Sequence, residues 1–426
     1  MTLSVRCNIA QFFRAVIPVK LVVLRKGSFM KIATMARGFL TAPHPADMTN
    51  APSDIAVAVS EGLKAEGHKI TFFGPIGTNL DHVPVRTANL SPLVRNLRDL
   101  NDIMDIEAKS SHNLLGLWDQ YLAHDMFRRA DKGEFDVLHF HHPEAALPFA
   151  RLYPNVPVVY TLHDPVDPWF GKAMRLYESP NQFYVSISDN QRKGAPDLPY
   201  VGTVHNGINT DMFEFNDTPD NYLLFAGRIM ADKGVSEAIE VAQATGSRLK
   251  IIGAVYGNQR EYFETQVKPH LNDKIEYLGF LERDKVVEYY RHAKALLFPI
   301  LWEEPFGLTM IEAMSCGTPV IGFNRGSVPE VIEDGVTGFI VNRVKGMVEA
   351  VGKIDKIDRR ACRSHVEKHF SNEVMAKNYG HMYKRAYSKL RKQRAVTLPN
   401  VWATTSKAIK PKPKTAPVAT DFFEKL

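Results

Sequence analysis

The stretch "LWEEPFGLTMIEAMSCGTPVIGF" (residues 301–323) sets two carboxylates, Glu304 and Glu312, on either side of a Pro-Phe-Gly turn. Pro305 and Gly307 interrupt the chain after the strand-like "ALLFPI", so a helix is predicted to begin near Leu308. Glu312 then falls about one turn into the helix and Glu304 on the loop before it. The first amides of such a helix, at Gly307, Leu308 and Thr309, have no intrahelical acceptors and carry the positive end of the dipole. A carboxylate accepts hydrogen bonds well from vicinal hydroxyls. Together these groups could hold sugar hydroxyls at Glu304, ribose hydroxyls at Glu312 and a phosphate at the amides between them. A plainer reading makes Glu304 a favourable charge at a helix start and Glu312 a surface residue. Against it, "AMSCGTPVIGF" after Glu312 is small and apolar, which implies burial, and a buried Glu needs a partner.

Cations stand at a second strand end. "LLFAGRIMADKG" closes a strand with Gly227, then Arg228, then Lys233. A glycine turn with two cations at the head of a helix suits a diphosphate, Arg gripping oxygens as a fork and Lys as a compact charge. The alternative is a solvated turn with ordinary surface cations. In "GSVPEVIEDG", Ser327 and Glu330 have the spacing of a capping box, which accounts for both residues structurally. In the amino-terminal half, "FDVLHFHHPEAALP" brings His139, His141 and His142 to a strand end, and "VVYTLHDP" does the same with His163 and Asp164. His139 and His141 alternate along a strand and share a face, but no third zinc ligand is evident. No Asp-x-Asp motif points to a metal-held nucleotide sugar.

These residues need strand ends to stand on, and the pattern supplies them. "MKIATMA", "KITFFGP", "DVLHFH", "VPVVYTLH", "QFYVSIS" and "TVHNG" are short apolar runs, and Ile55, Val59 and Leu63 mark a helix between the first two. The alternation restarts after the polar stretch 209–221 with "YLLFAG", "LKIIGAV", "IEYLGFL", "ALLFPI", "PVIGF" and "GFIVN". This predicts an α/β protein of two doubly wound parallel-sheet domains, each covered on both faces, with ligands in a cleft outside the strands' carboxyl ends.

The 426 residues fit two or three domains, and the composition is near the average for a soluble globular chain. The net charge of +6 resides in the ends: residues 1–29 hold five basic residues and no acid, and residues 391–426 hold eight basic and two acidic ones. The body is therefore slightly acidic, which argues against a nucleic-acid-binding core. Three scattered cysteines, Cys7, Cys316 and Cys362, argue against a disulfide framework and for a reducing compartment. No apolar run reaches the roughly 18 residues of a membrane span.

With these motifs in order, the stretch 30–390 resembles the retaining nucleotide-sugar glycosyltransferases of family 4, whose GT-B fold sets two Rossmann-like domains across a central cleft. The Glu-x7-Glu motif with "EAMSCGTPVI" behind it is the most specific part, and "AGRIMADKG", "VHNGIN", "SISDNQ" and "RGSVPEVIEDGVTGFIV" occur in the order expected. The resemblance implies a catalytic group of Glu304, His141, Arg228 and Lys233. It implies a donor site of Arg228, Lys233, Phe280, Leu281, Glu304, Phe306, Gly307, Leu308, Thr309 and Glu312. His44, His163 and Asp164 are candidates for the acceptor or sugar side. One departure is the loop "LTAPHPADMTNAPSD" (40–54), which lacks the Gly-Gly pair that many relatives place near the phosphates.

The expected domains are a basic extension, read as disordered, at 1–29, an acceptor-side domain at 30–208 and a donor-side domain at 209–372. A helix at 373–392 is expected to cross back to the first domain, and the tail 393–426 is read as disordered. The expected activity is a metal-independent, retaining transfer of a sugar from a nucleoside diphosphate to an acceptor hydroxyl. No metal or other cofactor, no nucleic-acid partner, and a cytoplasmic location with peripheral membrane contact through the basic ends go with it. An epimerase of nucleotide sugars and a non-catalytic glycan-binding subunit are the alternatives. If the ends lie outside the fold, removing residues 1–29 and 401–426 should leave the thermal unfolding midpoint nearly unchanged. Loss of cooperative unfolding would place them in the core.

Overall fold

The computed structural model describes residues 29–104 and 108–397, so the readings of residues 1–28 and 398–426 lie outside the described residues. The first sheet contains β1 (Lys31–Met35), β2 (Lys69–Phe73), β3 (Val85–Arg86), β4 (Val137–Phe140), β5 (Val158–Leu162), β6 (Gln182–Ser186) and β7 (Tyr200–Thr203). Its order is β3-β2-β1-β4-β5-β6-β7 and every pairing is parallel. The second sheet contains β8 (Tyr222–Ala226), β9 (Arg248–Ile252), β10 (Ile275–Tyr277), β11 (Ala295–Phe298), β12 (Val320–Phe323) and β13 (Gly338–Val341) in the order β10-β9-β8-β11-β12-β13, again parallel throughout.

Every residue of β4, β5, β6, β8, β11 and β12 is buried, because helices cover both faces of each sheet. The strand order reverses between β1 and β4 and between β8 and β11, and the crevices that carry ligands in such sheets open at those points. His141 follows β4, Arg228 follows β8 and Glu304 follows β11.

The chain crosses between domains twice at one place. Ile208 N donates to Phe370 O (2.9 Å) and Asn372 N to Ile208 O (3.0 Å). After the second crossing the helix Asn372–Thr397 lies on the helix Ala51–Ala65 and on β5 and β7. Met375, Ala376, Tyr379, Met382, Tyr383, Ala386 and Leu390 enter the same core as Ile55, Val59 and Leu63. The helix runs past residue 392, where a disordered tail was expected to begin. Lys, Gln, Arg and Ala prolong a helix readily, and Pro399 is the first residue that disfavours helix in its predecessor. Among the described residues no helix is long and apolar enough to cross a membrane.

His139 belongs to this junction. Its Nε2 meets Thr161 Oγ1 at 2.8 Å, its Nδ1 meets Tyr383 Oη at 2.9 Å, and Tyr379 Oη lies 2.9 Å from Thr161 Oγ1. It is a fastener between the first sheet and the last helix. Burial pushes its pKa down to about 3, and lowers His141 and His163 well below the ordinary histidine value. These groups bind fewer protons folded than unfolded. Their stabilisation is present above about pH 6.5, the ordinary value, and is lost as pH falls toward the folded pKa values. The unfolding midpoint should drop from about pH 6.5 to about pH 4, less steeply in His139→Gln. A flat wild-type profile, or an unchanged slope in the variant, would contradict this.

Candidate donor and acceptor cleft

The donor side is built where two turns are fastened together. After β8 the chain passes Gly227 and Arg228, then turns at Ala231–Lys233. Gly234 follows with φ +75°, and a Cβ there would stand 1.9 Å from Pro299 O. Leu301 N donates to Asp232 O at 2.8 Å. The cationic turn is thereby docked onto the segment that leads from β11 to Glu304.

Docking brings Lys233 and Glu304 into direct contact. Lys233 Nζ forms an ion pair with Glu304 Oε2, and the two side chains are only 16% and 12% exposed. Trp302 Nε1 donates to the same Oε2 at 2.9 Å, and Lys233 Nζ lies 4.7 Å from the Trp302 ring centroid. The motif pattern assigns these two residues to separate ligand groups; in the structure each is the other's partner. Arg228, by contrast, is exposed and makes no side-chain hydrogen bond or ion pair among the described residues.

Past Glu304 the chain buries Pro305 and Phe306, and the helix Leu308–Ser315 starts from Gly307 with no side chain capping it. Its first amides remain open to a ligand, and the buried Thr309 Oγ1 beside them has no partner among the described residues. Glu312 is half-buried and accepts from Tyr290 Oη at 3.0 Å, so the plain surface reading does not hold. Burial raises its pKa, opposed by the nearby Arg283 guanidinium and the Tyr290 hydroxyl. Phe280 and Leu281 line a recess of about 480 Å3 together with Ala46, Asp47 and Leu97 of the first domain.

The 40–54 loop reaches this same region. Arg283 Nη2 pairs with Asp54 Oδ2 across the cleft at 2.9 Å, and His44 Nε2 lies 3.2 Å from Asp54 Oδ1. The hydrogen bond to Asp54 raises the His44 pKa against the effect of burial. His44 is therefore linked through Asp54 to Arg283 of the second domain.

On the first-domain side, His141 is buried and its Nδ1 lies 2.8 Å from His163 Nε2, the rings stacked with centroids 5.1 Å apart. His141 Nε2 is buried and has no partner among the described residues. Asp164 is exposed, and its backbone carbonyl accepts from Gln191 Nε2 at 2.9 Å. His142 approaches Glu144 at 3.6 Å. Burial works against ionisation of Glu144, but His142 and Arg37 outweigh it and hold the pKa at about 2. Arg37 also pairs with the buried Asp119 at 2.9 Å. Nothing in the sequence singled out Arg37 as a partner of Asp119 and Glu144, because both lie far from it in the chain. Among the described residues, no three His, Cys, Asp or Glu side chains gather as a metal site.

The capping-box expectation for Ser327 and Glu330 is overturned. Ser327 makes no side-chain cap, and its hydroxyl donates instead to Phe306 O at 2.5 Å. The Glu330 carboxylate turns to the other domain, accepting from Asp189 N (2.7 Å), Asn190 N (2.8 Å) and His205 Nε2 (3.1 Å).

The docking of the Lys233 turn can be isolated by mutation. Gly234→Ala and Gly246→Ala both put a side chain at positive φ, but the space at Gly246 is open. Gly246→Ala should cost about 1–2 kcal/mol, the ordinary penalty of the left-handed region, and Gly234→Ala clearly more. Equal losses by chemical denaturation would show that the Gly234 contact is not tight.

Comparison with known proteins agrees with the two-sheet fold. The family model "Glycosyltransferase Family 4" matches residues 55–212, and "Glycosyl transferases group 1" matches residues 209–361. A 41.2 kDa protein of the cps region of Klebsiella pneumoniae is 31% identical over 38% of this chain, and the match spans only 46% of that protein's length. The glycogen synthase of Mycobacterium tuberculosis is 26% identical, with 70% of this chain and 80% of that protein aligned. The crystal structure of Anabaena Alr3699/HepE in complex with UDP and glucose superposes with a TM-score of 0.61 at 14% identity, covering 83% of this chain and 99% of that one. The two family models meet at the junction between the two sheets, and the chain belongs to the glycosyltransferases of GT-B fold and family 4 type.

Proposed function

We propose that the chain is a retaining, metal-independent glycosyltransferase that moves a sugar from a nucleoside diphosphate to an acceptor hydroxyl. The observation that carries this reading is the sheltered Lys233–Glu304 pair beside the open amides of the helix Leu308–Ser315. A diphosphate would take Lys233, Arg228 and those amides, and in drawing Lys233 away it would release Glu304 to accept hydroxyls of the donor sugar. Glu312, already oriented by Tyr290, would accept from the ribose diol. The base would enter the recess beside Phe280 and Leu281. A bound UDP and glucose in the Anabaena neighbour support a nucleotide-sugar donor.

In the reaction, the bond from the sugar's anomeric carbon to the phosphate oxygen breaks with its electron pair going to the diphosphate. The acceptor oxygen bonds that carbon from the same face and passes its proton to the departing phosphate oxygen. Preorganised cations and amides would stabilise the charge that grows on the diphosphate, which is the task a metal ion performs elsewhere. His141, kept neutral by burial, would offer Nε2 to a hydroxyl of the transferred sugar. The buried free thiols Cys316 and Cys362 fit a cytoplasmic setting, and the basic ends suit an anionic membrane face.

Glu312→Ala should weaken nucleoside diphosphate binding by about 1.5–3 kcal/mol, the scale of hydrogen bonds to a charged group. Arg228→Ala should weaken that binding and also lower turnover. Calorimetric titration beside transfer kinetics separates the two, and unaltered binding in both variants would sink the assignment. Transfer should persist in EDTA; complete inhibition restored by magnesium or manganese would overturn the metal-independent reading.

A further inference from the structure

We propose that Glu303 and Glu330 are positioning residues that make the placement of Glu304 depend on contact between the two domains. The inference rests on the reading of Glu304 as the carboxylate that meets the donor sugar.

The first-domain loop after β6 ends in Asp189 and Asn190. Their two backbone amides point at the second domain and are capped by one carboxylate, Glu330, at 2.7 and 2.8 Å. His205, on the segment leading into the domain crossing, donates to the same carboxylate at 3.1 Å. The Asn190 side chain makes a second bridge, its Nδ2 donating to Glu303 Oε2 at 2.9 Å.

Glu303 carries the contact onward. The oxygen that receives Asn190 also receives Gly326 N at 2.9 Å. Gly326, at φ +55°, lies so close to Glu304 that a Cβ would stand 2.4 Å from Glu304 O and 2.5 Å from Glu304 N. Ser327 N donates to Glu304 O at 3.0 Å. The backbone of Glu304 is thus clamped by residues 326 and 327, and Glu303 beside it and Glu330 beyond Ser327 both hold the 189–190 loop. On its other side the Glu304 side chain meets Lys233 and Trp302. Separation of the domains breaks the bonds to Asp189, Asn190 and His205 together and removes one of the two donors on Glu303. A sugar-binding carboxylate set only in the closed form would couple engagement of the donor sugar to closure over the acceptor. The same link would restrain wasteful attack by water in the open form.

The Trp302 indole reads out Glu304 without any nucleotide, because its N–H donates to that carboxylate. The chain has four tryptophans, so the indole resonance can be assigned with Trp302→Phe. In nitrogen–proton spectra of the full chain, Glu330→Gln and Asn190→Ala should each shift or broaden the Trp302 indole signal. The Trp118 and Trp169 signals should stay in place, which also shows that the variants fold. An unmoved Trp302 signal in both folded variants overturns the proposal, whatever the protein's activity.

Kinetics supply a second reading. Glu330→Gln should lower sugar transfer from UDP-glucose or another accepted nucleotide sugar at least about tenfold (about 1.4 kcal/mol) while sparing affinity for the bare nucleoside diphosphate. In a Glu304→Ala background the same change should have little further effect, as expected for residues acting through one group. Additive losses in the double variant, with bare diphosphate binding also lost, would mean general destabilisation and overturn the relay. A chain that turns over no nucleotide sugar would count against the proposed function, and the indole spectra would still decide the relay.

Discussion

A lysine and a glutamate that meet at the floor of the cleft constrain the rest of the molecule. Lys233 and Glu304 are mostly withdrawn from solvent, and either charge alone there would be costly without a partner. In the structure they neutralise each other. A ligand that separates them must therefore supply a negative group for the lysine and hydrogen-bond donors for the carboxylate. A diphosphate joined to a sugar does both in one molecule, whereas a free phosphate or a free sugar satisfies only one partner. Trp302 shelters the pair, the Gly234 turn delivers the lysine, and the clamp from Gly326 and Ser327 fixes the glutamate. Glu312 follows the same logic one turn into the helix, where Tyr290 and Arg283 keep a half-buried carboxylate ready.

The first domain answers with neutral groups. Burial removes the charge from His139, His141 and His163, yet they divide the work between structure and site. His139 points into the junction with the last helix, where Tyr383 and Thr161 occupy both of its nitrogens. His141, two residues on, keeps one nitrogen unpartnered. Under the proposed function a neutral imidazole would suit a ring that gains positive charge, since an imidazolium there would oppose that charge. The last helix, contributed by the far end of the chain, thus helps hold together the domain that carries His141.

Much of this was legible in the sequence where local patterns decide the outcome. Buried parallel strands read as continuous apolar runs, so eleven of the thirteen strands could be placed, whereas β7 shares only Thr203 with "TVHNG". Pro305 and Gly307 marked the helix start that separates Glu304 from Glu312. The illegible parts depend on distant partners. β3 is two residues long and exists only by pairing with β2. The helix Ala108–Asp131 buries Leu122, Met126 and Phe127, but its polar residues blur the apolar stripe. Ser327 and Glu330 have capping spacing, yet the glutamate's partners lie about 140 residues earlier, in the other domain. Arg37 and Asp119 are 82 residues apart, and no local spacing announces them.

The mutual neutralisation of Lys233 and Glu304 can be measured directly. Calorimetric titration of wild type and Glu304→Gln with the bare nucleoside diphosphate, beside transfer kinetics with the nucleotide sugar, separates the two charges. Removing the carboxylate frees Lys233 for phosphate, so the diphosphate should bind Glu304→Gln at least as tightly as wild type, while transfer falls sharply. Weaker diphosphate binding with transfer unchanged would contradict the account, because Glu304 would then hold the nucleotide and have no part in handling the sugar.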